Sequence, residues 1–192
     1  MKERALLIID MQNDFCPGGK LAIPEGDTVL GPLNEYIELF SSAGEPVLAT
    51  RDWHPKETDH FRKYGGSWPE HCLQGTEGAA FHPDLKLPKE TVILSKGMDT
   101  AGDSYSGFDA KDDNGRGLKE ILSGMGAKEL FIGGLATDFC VRHTALDALK
   151  EGFRVTLLED AVKGVDADAS KKAVDEMKRQ GASVKKRDEI IG

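Results

Sequence analysis

Short apolar runs alternate along this chain with stretches whose apolar residues fall three and four apart. Ala5-Leu6-Leu7-Ile8-Ile9 is a run of strand length, and Val29, Leu33, Ile37 and Phe40 after it share one helical face. Pro46 to Thr50 reads as a second strand and Val92 to Ser95 as a third. Leu118, Ile121, Leu122 and Met125 describe a helix that ends near Gly126, and Leu130 to Gly133 a fourth strand. Asp138 can cap a helix carrying Val141, Ala145, Ala148 and Leu149, which Gly152 can stop. Arg154 to Leu158 is a fifth strand, and Asp166 or Asp168 can open a last helix with Ala173, Val174 and Met177 on one side. Ser183-Val184 forms a short sixth strand that closes the chain.

Strands without clean alternation, separated by amphipathic helices, indicate a parallel sheet covered on both faces. The expectation is a doubly wound, three-layer α/β/α sandwich with a mostly parallel sheet of about six strands, in a single domain over residues 1–192. Arg51 to Thr91 carries little periodicity, and loops of that length are usually functional.

Ligands in such sheets bind beyond the carboxyl ends of the strands. Asp10 follows the first strand, Asp52 and His54 the second and Lys96 the third. The fourth leads into Gly133-Gly134-Leu135-Ala136-Thr137-Asp138-Phe139-Cys140. Cys140 then lies in the first turn of its helix, where the helix dipole, with Lys96 nearby, favours a thiolate nucleophile over a merely packed thiol. Asp10 can be a proton shuttle tuned by burial and by a neighbouring lysine, or a structural carboxylate bonded to loop amides. Asp52, His54, His60 and His71 gather one carboxylate and two or three imidazoles within a short stretch, a donor set for a first-row transition metal with open positions. His82, in a turn, and His143, inside a helix, read as ordinary polar residues, and Cys16 and Cys72 as structural.

Composition narrows the alternatives. The net charge of -8 argues against nucleic-acid binding, and the basic run Lys185-Lys186-Arg187 reads as a solvated tail. No apolar run approaches the roughly 20 residues that span a bilayer, and Ala5 to Ile9 is too short for the core of a signal peptide. Three cysteines without a CxxC pair suit reduced thiols in the cytoplasm.

Several segments together resemble the nicotinamidase/pyrazinamidase branch of the isochorismatase-like cysteine hydrolases, over nearly the whole chain. They are Asp10-Met11-Gln12-Asn13-Asp14-Phe15 with Pro17-Gly18-Gly19; Arg51-Asp52-Trp53-His54-Pro55; Asp59-His60-Phe61; Trp68-Pro69-Glu70-His71-Cys72; Gln74-Gly75-Thr76; Lys96; Asp103 to Phe108; and Gly134 to Cys140. The resemblance implies a catalytic triad of Asp10, Lys96 and Cys140, and metal ligands Asp52, His54 and His71, with His60 a ligand in some members. It places the aromatic substrate ring against Phe15, Trp68 and Tyr105, and a cis peptide at Leu135-Ala136. The amides of Ala136 and Cys140 become the oxyanion hole, with Ala136 also against the substrate. The expected reaction is hydrolysis of nicotinamide, and of pyrazinamide, through a thioester on Cys140. The alternative is a related thiol hydrolase acting on another small amide or carbamoyl compound. One divalent transition metal is implied, zinc ahead of iron or manganese, with a small-molecule amide as partner, no nucleic acid, no membrane, and room for a homo-oligomer.

Overall fold

A computed structural model describes residues 3–191. Its strands are β1 (Arg4–Ile9), β2 (Val47–Asp52), β3 (Val92–Lys96), β4 (Glu129–Leu135), β5 (Arg154–Lys163) and β6 (Ser183–Lys185). They form one sheet in the order β3-β2-β1-β4-β5-β6, and every pairing is parallel. The helices are α1 (Leu30–Ser42), α2 (Leu118–Met125), α3 (Arg142–Lys150), α4 (Ala167–Arg179) and α5 (Asp188–Ile191).

The period-2 geometry of a strand sends alternate side chains to opposite faces, and here both faces are apolar. Leu6 and Ile8 of β1 join Leu33, Tyr36, Ile37 and Phe40 of α1 in one core. Ala5, Leu7 and Ile9 join a second core made by α2, α3 and Met177 of α4. The result is the expected α/β/α sandwich. The strand order reverses between β1 and β4, so a crevice opens there at the carboxyl edge of the sheet. Gly134 makes the closeness of those two strands possible: its φ is 118°, and a Cβ there would collide with the backbone of Ile9.

Several boundaries differ from the sequence reading. Polar residues extend β2 to Asp52 and β3 to Lys96, because parallel pairing between the two strands continues through Arg51↔Ser95 and Asp52↔Lys96. Apolarity alone does not report such ladder bonds. Asp138 does not cap its own helix. It lies within a π-helical turn (Thr137–Val141) that precedes α3, and its carboxylate accepts from the N–H groups of Val165 (3.0 Å) and Asp166 (3.1 Å). Asp166 caps α4 by accepting from the Ala169 N–H at 2.7 Å. The chain continues past β6 into α5, and the basic run is no free tail. Lys185 belongs to β6, the Arg187 N–H donates to Asp160, and the Arg187 guanidinium pairs with Glu35 at 3.1 Å. Among the described residues, no helix is long and apolar enough to cross a membrane.

Candidate active site

Four adjacent strand ends bring four side chains together. Asp10 directly follows β1 in a left-handed conformation, φ 47°, which aspartate tolerates better than most residues. Its Oδ1 accepts from the Thr50 hydroxyl at 2.7 Å, and its Oδ2 lies 2.8 Å from Lys96 Nζ. Lys96 Nζ also contacts Asp52 Oδ1 and stands 3.4 Å from Cys140 Sγ. Asp10 is 0% exposed, Lys96 1% and Cys140 7%. The Cys140 turn is wound by Ala136, whose carbonyl accepts from the N–H groups of both Phe139 and Val141 at 3.1 Å. The Leu135–Ala136 peptide bond is cis.

Burial and mutual charge together shift the titration of this cluster. It raises the Asp10 carboxyl above the usual carboxylate range, against the pull of Lys96. Burial also opposes the charge on Lys96, but Asp10, Asp52 and Cys140 outweigh it and keep the ammonium well above its ordinary value. Opposing influences act on the thiol that the helix start and Lys96 were expected to favour as thiolate. Burial pushes the Cys140 thiol well above the usual cysteine range; Lys96 lowers it, while Asp10 and Asp52 raise it again. A helix start and one lysine do not outweigh desolvation beside two carboxylates.

The second half of the site is built from the loop after β2. The ring nitrogens of His54, His60 and His71 approach one another within 4.8 Å, and all three side chains are buried. Each Nδ1 is already engaged: His54 with the Gly97 carbonyl at 3.0 Å, His71 with the Pro69 carbonyl at 2.8 Å, and His60 with the Asp103 carboxylate. A proton on Nδ1 leaves Nε2 as a lone-pair donor, the arrangement that orients metal-bound imidazoles. His54 Nε2 is buried without a hydrogen-bond partner. Asp52 Oδ2 lies 3.7 Å from His54 Nε2 and 3.9 Å from His71 Nε2. Burial lowers His71 to about 4, so its ring is neutral, as a ligand must be. Gly97 belongs to this support: at φ +65° it also leaves space that a Cβ would take from the His54 ring. The donor set, its tautomers and the orphaned Nε2 all suit a divalent metal.

A narrow, mainly apolar pocket lies between the two clusters. Phe15, Trp68, Tyr105 and Ala136 line it, as do Asp52, His60, His71 and Cys140. Asp10 and Lys96 stand behind this lining: Lys96 contacts both Cys140 and Asp52, and Asp10 contacts Lys96. Sequence reasoning missed Leu21, Ile23, Leu135, Phe139 and Val165, which also line the pocket. It also missed Asp103, which holds His60, and His143, which stacks on Tyr105 at 5.2 Å. Trp68 Nε1 donates to the Tyr105 hydroxyl at 2.8 Å, and the Phe139 ring meets Trp68 edge-on at 5.1 Å. Only the position of Phe139, beside Cys140 in the first turn after β4, could have signalled its part.

Relatives carry the same architecture. The chain is 40% identical to the nicotinamidase of Escherichia coli (strain K12), over 96% of this chain and 95% of that one. It superposes with a TM-score of 0.90 on the pyrazinamidase of Pyrococcus horikoshii in complex with zinc, at 48% identity over 96% and 99% of the two chains. A PnC1 structure from L. infantum, in complex with nicotinate, matches with a TM-score of 0.83 and 38% identity over 95% and 92%. The isochorismatase domain family matches residues 4–189, and with a doubly wound sheet whose carboxyl edge carries the whole site, the chain belongs to that family.

Proposed function

We propose that this chain is a metal-containing cysteine amidohydrolase that converts nicotinamide to nicotinic acid and ammonia and also admits pyrazinamide. The observation that carries the reading is Lys96, which lies 2.8 Å from Asp10 and 3.4 Å from Cys140, a thiol that lines an aromatic-walled pocket. The family and the nicotinamidase relatives support it.

Cys140 Sγ attacks the carboxamide carbon. Burial raises the Cys140 thiol, and its proton passes to Asp10 as the bond forms, which matches general-base catalysis by a carboxyl raised through burial. Lys96 holds Asp10 in place and stabilises the charge developing on sulfur. The backbone N–H groups of Ala136 and Cys140 receive the oxyanion, and one such donor is worth about 3 kcal/mol of barrier. Asp10 then gives its proton to the departing ammonia, leaving a thioester between Cys140 and the acid. Water deprotonated by Asp10 cleaves that thioester and restores the thiol.

Asp52, His54 and His71 would hold the metal, with His60 as a further ligand; zinc is the choice that its presence in the P. horikoshii relative favours. When bound, the metal supplies Lewis-acid orientation of the pyridine or pyrazine ring nitrogen. Phe15, Trp68 and Tyr105 flank the ring, and the lining fits a planar heteroaromatic amide. Three unpaired cysteines suit work in the reducing cytoplasm.

Ammonia release from nicotinamide by metal-replete protein tests the proposal, with Cys140→Ala measured beside the parent. Release by the parent alone is expected. Release by both would overturn the thiol mechanism, and release by neither would overturn nicotinamide as substrate.

A further inference from the structure

The segment after Asp10 holds a buried side chain that the reaction does not use. Gln12 is 0% exposed, and its amide is fully engaged. Gln12 Oε1 accepts from the Asp52 N–H at 2.8 Å, while Nε2 donates to the Asp52 carbonyl at 2.8 Å and to the Ala79 carbonyl at 2.9 Å. Regular pairing between β1 and β2 ends with Ile8↔Ala49, and a last backbone bond runs from the Asp10 N–H to the Thr50 carbonyl. Beyond that point the chain turns away at Asp10, and Asp52 would have no strand on that side. The Gln12 amide takes the missing strand's place, offering one acceptor and one donor to the same residue, as a backbone amide would.

We propose that Gln12 is a positioning residue for the metal centre: by pairing with both backbone groups of Asp52, it fixes the direction in which that carboxylate leaves the sheet. This rests on the metal reading given under Proposed function. Asp52 must present one oxygen to Lys96 and the other to the imidazoles of His54 and His71. A side chain pointing two ways at once tolerates little rotation of its backbone. Asp14, two residues further on, makes a similar link: its carboxylate accepts from the Cys72 N–H at 2.7 Å, next to His71. Residues 10, 12 and 14 thus reach in turn to Lys96, to Asp52 and to the His71 turn.

Gln12→Met keeps the bulk of the side chain and removes all three hydrogen bonds. Zinc affinity is read by competition with a chromophoric chelator, and ligand geometry by the visible spectrum of the cobalt-substituted protein. The control is Tyr36→Phe, which loses a 2.9 Å bond to Asp160 and touches no metal residue. Gln12→Met is expected to bind zinc at least about 10-fold more weakly, the lower end for lost outer support of a ligand, with an altered cobalt spectrum. Tyr36→Phe should stay within about threefold of the parent. Gln12→Glu, which keeps the shape and the acceptor but loses the donor, should fall between them. A Gln12→Met protein that matches the parent in both readouts overturns the inference. So does failure of both Gln12 variants to fold while Tyr36→Phe folds, since Gln12 would then serve the fold rather than Asp52. A parent that takes up no zinc overturns the metal reading itself, which separates the two failures.

Discussion

Asp52 and Lys96 face each other across the ends of β2 and β3, and through that contact the thiol cluster and the histidine cluster share one carboxylate. Lys96 is the cation among three acidic groups, Asp10, Asp52 and Cys140. Removing it strands two buried carboxylates close together. Lys96→Met should therefore lose about 3 kcal/mol of stability, as happens when a buried pair loses one partner. Turnover should fall to background, because Asp10 would then be neither charged nor aimed. Calorimetry beside single-turnover assays checks this; a variant of parental stability and activity would remove Lys96 from the mechanism.

Metal removal should act on substrate binding more than on bond breaking. The thiol, Lys96 and Asp10 are complete without the histidines, whereas His60 and His71 form part of the pocket wall. Dialysis against a chelator should raise KM by at least about 10-fold and lower kcat less, the signature of lost ground-state binding. Benzamide, which lacks the ring nitrogen, should show the same weakness even with metal present. Unchanged constants after chelation, at verified zero metal content, would defeat the role given to the histidine cluster.

Much of this arrangement was readable from residue order, and the gaps have physical causes. Apolar periodicity located every strand and the four long helices, because a sheet buried on both faces leaves a strong signal. It stopped each of β2 and β3 short of the polar residue that matters, Asp52 or Lys96, since ladder bonds do not depend on side-chain polarity. The convergence of Asp10, Asp52, Lys96 and Cys140 followed from topology alone, as adjacent strands end at one edge. Asp103 was not readable in that way. It reaches His60 from 43 positions along the chain, on a segment without periodicity. The upward shift of the Cys140 thiol was hidden for a related reason: the sequence shows the lysine, but the depth of burial appears only when the fold closes.

The upward shift of the Cys140 thiol leads to the last prediction. Burial, with Asp27 adding to it, pushes the Cys16 thiol up to about 11; burial, then Asp52 and Asp14, raise Cys72 well above the usual cysteine range. Neither thiol lines the pocket, whereas Cys140 does. Iodoacetamide, itself a small carboxamide, should add one group per folded chain at pH 8, on Cys140, with Cys16 and Cys72 unmodified over the same time. The rate should fall below that of free cysteine, whose pKa is about 8.5, because the attacking thiolate is scarce at rest. Nicotinic acid in the pocket should slow it further. Intact-mass and peptide mapping give both the count and the position. A rate above that of free cysteine would mean a resting thiolate, and the proton would then have left Cys140 before substrate arrives rather than during the attack.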